Sequence, residues 1–147
     1  MKERIFKRAL EIAPLIKASN AKVEELKANL EHTYVAPEMT KEFAASHIDH
    51  TVLAFNATEK DVEKICTEAY KHNFLAICVN PLWVKFCADT KKDLAANYLI
   101  ASVIDFPLGA STLETRIKET EIALRDGANE IDLVISIGML KSGKIVE

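Results

Sequence analysis

Asp132 stands inside the apolar run "ANEIDLVISIG". A carboxylate in such a run is costly to bury unless a cation or a hydrogen-bond donor faces it. Where one does, the acid can hold and pass a proton, so acid–base work is one candidate role for Asp132. Read from these residues alone, the favoured role is the plainer one, a structural acid that caps backbone groups at a strand entrance. "HIDHTVL" gathers His47, Asp49 and His50, residue types that could hold a metal ion. On a strand, however, His47 and His50 point to opposite faces, which argues against a shared metal; no metal is expected. Asp49 and Thr51 then share one side. Further along, "FLAICVN" brings Cys78 and Asn80, with Cys78 either a pocket thiol or a small apolar filler.

The elements that must position these residues change character along the chain. Residues 1 to about 45 read as a helical extension: in "NAKVEELKANLEH", Val23, Leu26 and Leu30 recur at helical spacing behind a possible Asn20 cap. Pro14 should end or kink an earlier helix, and Pro37 precedes a short helix near Thr40 to Ala45. From about residue 46 strands and helices alternate. "HIDHTVL", "FLAICV", "YLIASVI" and "EIDLVISI" are the expected strands. The helices between them start at a Thr58-x-x-Asp61 signature, at Asn80-Pro81 and at Ser111-x-x-Glu114, and the third stops at Gly127. A fourth helix should begin around "KSGKIVE".

This alternation predicts an α/β fold with parallel strands joined by right-handed crossovers. A doubly wound sheet and part of a (β/α)₈ barrel both satisfy it. The strand faces favour the barrel. Ile131, Leu133, Ile135 and Ile137 share one face of the fourth strand, against Asp132, Val134 and Ser136 on the other. A greasy face towards helices and a more polar face towards an interior suit a barrel. Neither a GxGxxG nor a GxxxxGK[ST] pattern occurs. "FPLGAST" reads as a strand-to-helix loop relaxed by Gly109 in preference to an anion site, and Trp83, Val84 and Phe86 as helix-to-strand packing.

The 147 residues carry a net charge of −3, which gives no basic footprint for nucleic acid. No apolar run approaches membrane-spanning length. Three cysteines, Cys66, Cys78 and Cys87, match no zinc spacing and fall in apolar stretches, so buried reduced thiols and a cytoplasmic location are expected.

Four stretches, "IDHTVL", "ICVNPLWV", "VIDFPLGASTLET" and "GANEIDLVISIGMLKSG", together resemble deoxyribose-phosphate aldolase in that family's order and spacing, over roughly residues 46 to 147. The resemblance implies a TIM barrel that cleaves 2-deoxyribose 5-phosphate into glyceraldehyde 3-phosphate and acetaldehyde without metal or other cofactor. In this family a lysine forms a Schiff base, a second lysine keeps the first partly deprotonated, and an aspartate completes the proton relay. By motif that aspartate is Asp132. Asp49 matches another acidic position near the site with Thr51 beside it, and Cys78 and Asn80 match pocket-lining residues.

The family's two lysines belong to its sixth and seventh strands, and its phosphate-binding loops follow the seventh and eighth. Only four strands are expected here, and a complete barrel takes roughly 200–250 residues. Lys60, Lys64, Lys71, Lys85, Lys91, Lys92 and Lys118 fall on expected helices or their ends, and Lys141 and Lys144 follow the fourth strand. Smaller departures are Ser136 and Met139, and Arg116 where a lysine is common. The expectation is therefore the N-terminal half of an aldolase barrel, inactive alone for want of a Schiff-base lysine. Such a chain would self-associate or pair with a separate C-terminal half, and its family substrate is a small phosphorylated sugar or aldehyde. As an alternative, it would be a non-catalytic half-barrel assembly module.

Overall fold

The computed structural model describes residues 37–144. The helices expected over the first 36 residues lie outside the described residues. Thr40 caps the first described helix, α1 (Lys41–Ala45), by accepting a hydrogen bond from the Phe43 N–H. Strand β1 (Asp49–Val52) leads to α2 (Glu59–His72), where the Asp61 carboxylate accepts from both the N–H and the hydroxyl of Thr58, the expected start. Strand β2 (Ala76–Val79) runs into a 3₁₀ turn at Pro81–Trp83 and then α3 (Val84–Asp93). Strand β3 (Leu99–Ile104), α4 (Leu113–Asp126), β4 (Glu130–Leu133) and α5 (Ile137–Lys141) complete the order.

The four strands form one parallel sheet in the order β1-β2-β3-β4. A doubly wound sheet reverses its strand order at a switch point. Here each strand lies beside its predecessor, as in a barrel, which decides between the two folds left open by the sequence.

One side of the sheet is closed by helices. Ile77, Val79, Ile100 and Ile104 point into a core with Val62, Ile65, Cys66 and Ala69 of α2, Val84 and Cys87 of α3 and Ala123 of α4. Each fully buried aliphatic side chain there contributes about 1.5–3 kcal/mol relative to leaving it in water. Trp83 and Phe86 pack against the same core, as expected. All three cysteines are free and buried. Gly127 ends α4 at φ 115°, and a side chain there would crowd Ala88.

Three local expectations need correction. Thr112, not Ser111, caps α4 by accepting from the Thr115 N–H, because both the N–H and the hydroxyl of Ser111 are bound to Asp105. Strand β4 ends at Leu133 instead of continuing to Ile137. Its neighbour β3 stops at Ile104, whose carbonyl still accepts from Val134 at 3.1 Å, and the chain then turns away at Asp105 with φ 56°. Finally, the fourth helix starts at Ile137, ahead of "KSGKIVE". Residues Glu38–Ile137 form one compact unit; within the described part of the other, Ser142 Oγ donates to the Gly138 carbonyl at 2.8 Å.

Candidate active site

Strand register sets the site. Thr51 pairs with Cys78 and Cys78 with Ala101, so the three share one face of the sheet. Asp49 lies two residues before Thr51, and Asp132 pairs with Val103, two beyond Ala101. Asp49, Thr51, Cys78 and Asp132 therefore all project from the face opposite the helices. Cys78, Ala101 and Val103, with Leu53 against them, form a small apolar floor between the two acids. Asn80 follows β2 at its C-terminal end, half-buried, and its carbonyl accepts from the Trp83 N–H at 2.9 Å. The five residues singled out from sequence thus gather at one face and its C-terminal rim. Active sites of (β/α)₈ enzymes lie at that rim.

Asp132 differs from expectation in one respect: it is exposed, not buried. The polar partner it meets is the Cys78 thiol, which donates to Oδ2 at 3.5 Å. The apolar run suggested burial, but Asp132 sits on the sheet face that the helices leave uncovered. Burial, followed by the charge of Asp132, pushes the Cys78 thiol up to about 12. At neutral pH Cys78 is therefore a protonated donor and not a nucleophile. Asp49 and Thr51 are exposed too, and the Thr51 hydroxyl donates to the Asp49 carbonyl at 2.9 Å.

The histidines of "HIDH" serve elsewhere. His50 Nε2 lies 2.7 Å from Glu68 of α2, on the helix side, while His47, ahead of the strand, places Nδ1 2.8 Å from the Phe43 carbonyl. The lysines among the described residues lie on helices, apart from Lys144 beyond α5. A groove of about 720 Å³ between the 3₁₀ turn and α4, lined by Leu82, Glu119 and Ile122, contains none of the five site residues.

Sequence reasoning missed a second cluster at the end of β3. Asp105 accepts from the Ser111 N–H at 3.0 Å and hydroxyl at 2.7 Å, and pairs with Arg116 Nη2 at 2.7 Å. Its own N–H donates to Glu119 at 2.8 Å. Burial alone would raise the Asp105 carboxyl, but the Ser111 bonds and the Arg116 guanidinium outweigh it and hold it below the usual carboxylate range. The loop "FPLGAST" is thus filled by the chain's own carboxylate, in keeping with a plain loop relaxed at Gly109. A charged residue directly after an apolar strand was the one available signal; its partners on α4 follow no spacing rule.

Comparison with known proteins places this geometry. Residues 43–145 match the sequence pattern of the DeoC/LacD family aldolases. The deoxyribose-phosphate aldolase of Caldicellulosiruptor saccharolyticus is 48% identical over 107 residues, covering 73% of this chain and 48% of that protein. That of Clostridium botulinum strain Loch Maree is 46% identical over 99 residues, 67% of this chain and 46% of its own length. The chain spans about half the length of the curated relatives it matches. Among solved structures, the tetrameric deoxyribose phosphate aldolase of Aeropyrum pernix superposes with a TM-score of 0.63 at 31% identity, covering 71% of this chain and 49% of that one. A Coccidioides immitis protein, solved as a candidate deoxyribose-phosphate aldolase, reaches 0.70 at 29% identity over 76% of this chain and 42% of its own. The four-stranded parallel sheet is that of a TIM-barrel aldolase, and the chain belongs to the DeoC/LacD aldolase family.

Proposed function

We propose that this chain supplies the acidic half of a Schiff-base aldolase site that cleaves 2-deoxyribose 5-phosphate to glyceraldehyde 3-phosphate and acetaldehyde. The observation that carries the reading is the shared face: Asp49, Thr51, Cys78 and Asp132 project together over a small apolar floor. Asp132 is the relay acid and Asp49 the second acid, with Thr51, Cys78 and Asn80 lining the pocket. The reaction needs a lysine whose amine attacks the substrate carbonyl and whose protonated imine takes up the electrons of the breaking carbon–carbon bond. The family's lysines come from strands beyond these four, so the 147-residue chain is inactive alone and complete only beside the remaining strands. The reading needs no metal, and its setting is the cytoplasm.

A second reading rests on the exposure of Asp132 and of Leu133 at the β4 edge. Such a face and edge call for a covering chain, so this polypeptide would act as a half-barrel assembly module, pairing with itself or with a C-terminal half. One experiment addresses both. Acetaldehyde release and borohydride trapping are measured on the purified chain, alone and mixed with a polypeptide carrying the later strands. No turnover and no trapped adduct are expected alone. Turnover in the mixture should fall at least ~100-fold with Asp132→Asn. Turnover by the lone chain would remove the claim about the lysine. An active mixture indifferent to Asp132→Asn would remove the relay role, and a stable dimer with no complementation would leave the assembly reading.

A further inference from the structure

We propose that Asp105 and Arg116 form a clasp that positions Asp132, acting through Gly109 on the exit of β4; the inference rests on the reading of Asp132 as the relay acid. Asp132 has little to fix it directly. It is exposed, its side-chain partner is a thiol at 3.5 Å, and its strand ends one residue later at Leu133. Acid–base work needs that carboxylate held within about 0.5 Å of its productive place. The hold must come from the backbone on either side.

The loop after β3 provides it. Arg116 Nη2 reaches both the Asp105 carboxylate at 2.7 Å and the Gly109 carbonyl at 2.6 Å. The Gly109 N–H donates to the Asp105 carbonyl at 2.8 Å, so the two ends of the loop are tied to each other and to α4. The side chains of Arg116 and Asp105 are 13% and 7% exposed, well withdrawn from water. Gly109 itself is buried at φ 61°, a conformation that favours glycine. A Cβ there would strike the Ile135 carbonyl oxygen and come within 2.9 Å of Val134 Cγ1. The clasped loop therefore bears on the Val134 side chain and the Ile135 backbone, two and three residues past Asp132. Arg116 Nε is buried with no hydrogen-bond partner. The fork is aimed by one nitrogen at the loop at the expense of another, which suits a positioning contact better than one optimised for stability alone.

The neighbouring thiol reports on Asp132 without any need for turnover. Iodoacetamide alkylation of Cys66, Cys78 and Cys87 would be followed in the full 147-residue chain at pH 8.5 by peptide mass spectrometry. If the clasp places Asp132 beside Cys78, Arg116→Ala releases the carboxylate and raises the thiolate fraction of Cys78. About a tenfold faster rate is expected there for each pKa unit recovered, with Cys66 and Cys87 unchanged. In an Asp132→Asn background the same change should add nothing further. An equal rise at all three cysteines, or full additivity with Asp132→Asn, would overturn the proposal. Should Arg116→Ala fail to fold, Arg116→Lys keeps the charge but not the double contact; a Cys78 rate identical to the parent's would be equally fatal. Because this readout is independent of catalysis, the clasp and the aldolase reading fail separately.

Discussion

The two faces of one sheet have opposite fates in this molecule. On the helix side, Ile77, Val79, Ile100 and Ile104 are fully or almost fully buried under α2, α3 and α4, and the chain supplies every partner they have. On the other side, the same four strands present Asp49, Thr51 and Asp132 to solvent around a floor of Cys78, Ala101 and Val103. Strand alternation makes this division automatic, since neighbouring residues serve different masters. Stability resides in one face, and the proposed chemistry belongs to the other. Changes on the first should therefore cost folding, and changes at the exposed positions of the second should cost only function.

The sharpest way to break that contrast is to truncate a buried strand residue. Ile77→Ala should lose ~2–5 kcal/mol in urea denaturation, because the cavity it leaves is walled by α2 and α3. Asp132→Asn on the open face should stay within about 0.5 kcal/mol of the parent. Similar losses at both positions would mean that the two faces are not energetically separate.

Gly109 probes a place where the loop tied to α4 meets the exit of β4. Gly109→Ala places a methyl group against the Ile135 carbonyl at a positive φ, and about 1–3 kcal/mol of destabilisation is expected in the same assay. A neutral result would show that the loop can lift off β4, and would weaken the link between the faces.

The smallest and most specific effect concerns pH. The folded Asp105 carboxyl lies below its unfolded value, so its contribution is fully present above about pH 3.9 and is lost as pH falls through the folded value. Asp105→Asn should flatten the acid limb of the stability–pH curve below about pH 4 while leaving the neutral region parallel to the parent's. An unchanged acid limb would show that Ser111 and Arg116 do not favour the ionised form.

Much of this arrangement was legible in the order of residues. Periodicity placed the four strands and three of the helices, and alternation put Asp49 with Thr51 on one side of the first strand and Asp132 on the polar side of the fourth; the register then brings these and Cys78 to one face. Two things were not legible. Whether Asp132 is buried depends on what covers the open face, and neighbouring residues in sequence carry no information on that. The Asp105–Arg116 pair joins a loop to a helix through tertiary geometry, and it also moved the cap of α4 from Ser111 to Thr112 by claiming both polar groups of Ser111.

The unbroken strand order has a consequence for how the sheet is built. Among the described residues, each of β2, β3 and β4 pairs with the strand immediately before it, about one βα unit back in the chain. None of these three pairings waits for a distant partner, so loop-closure entropy stays modest at each step and this sheet can grow in the direction of synthesis. A ribosome releasing this polypeptide would extend an existing template one strand at a time, each newly added strand serving in turn as the docking edge for the next.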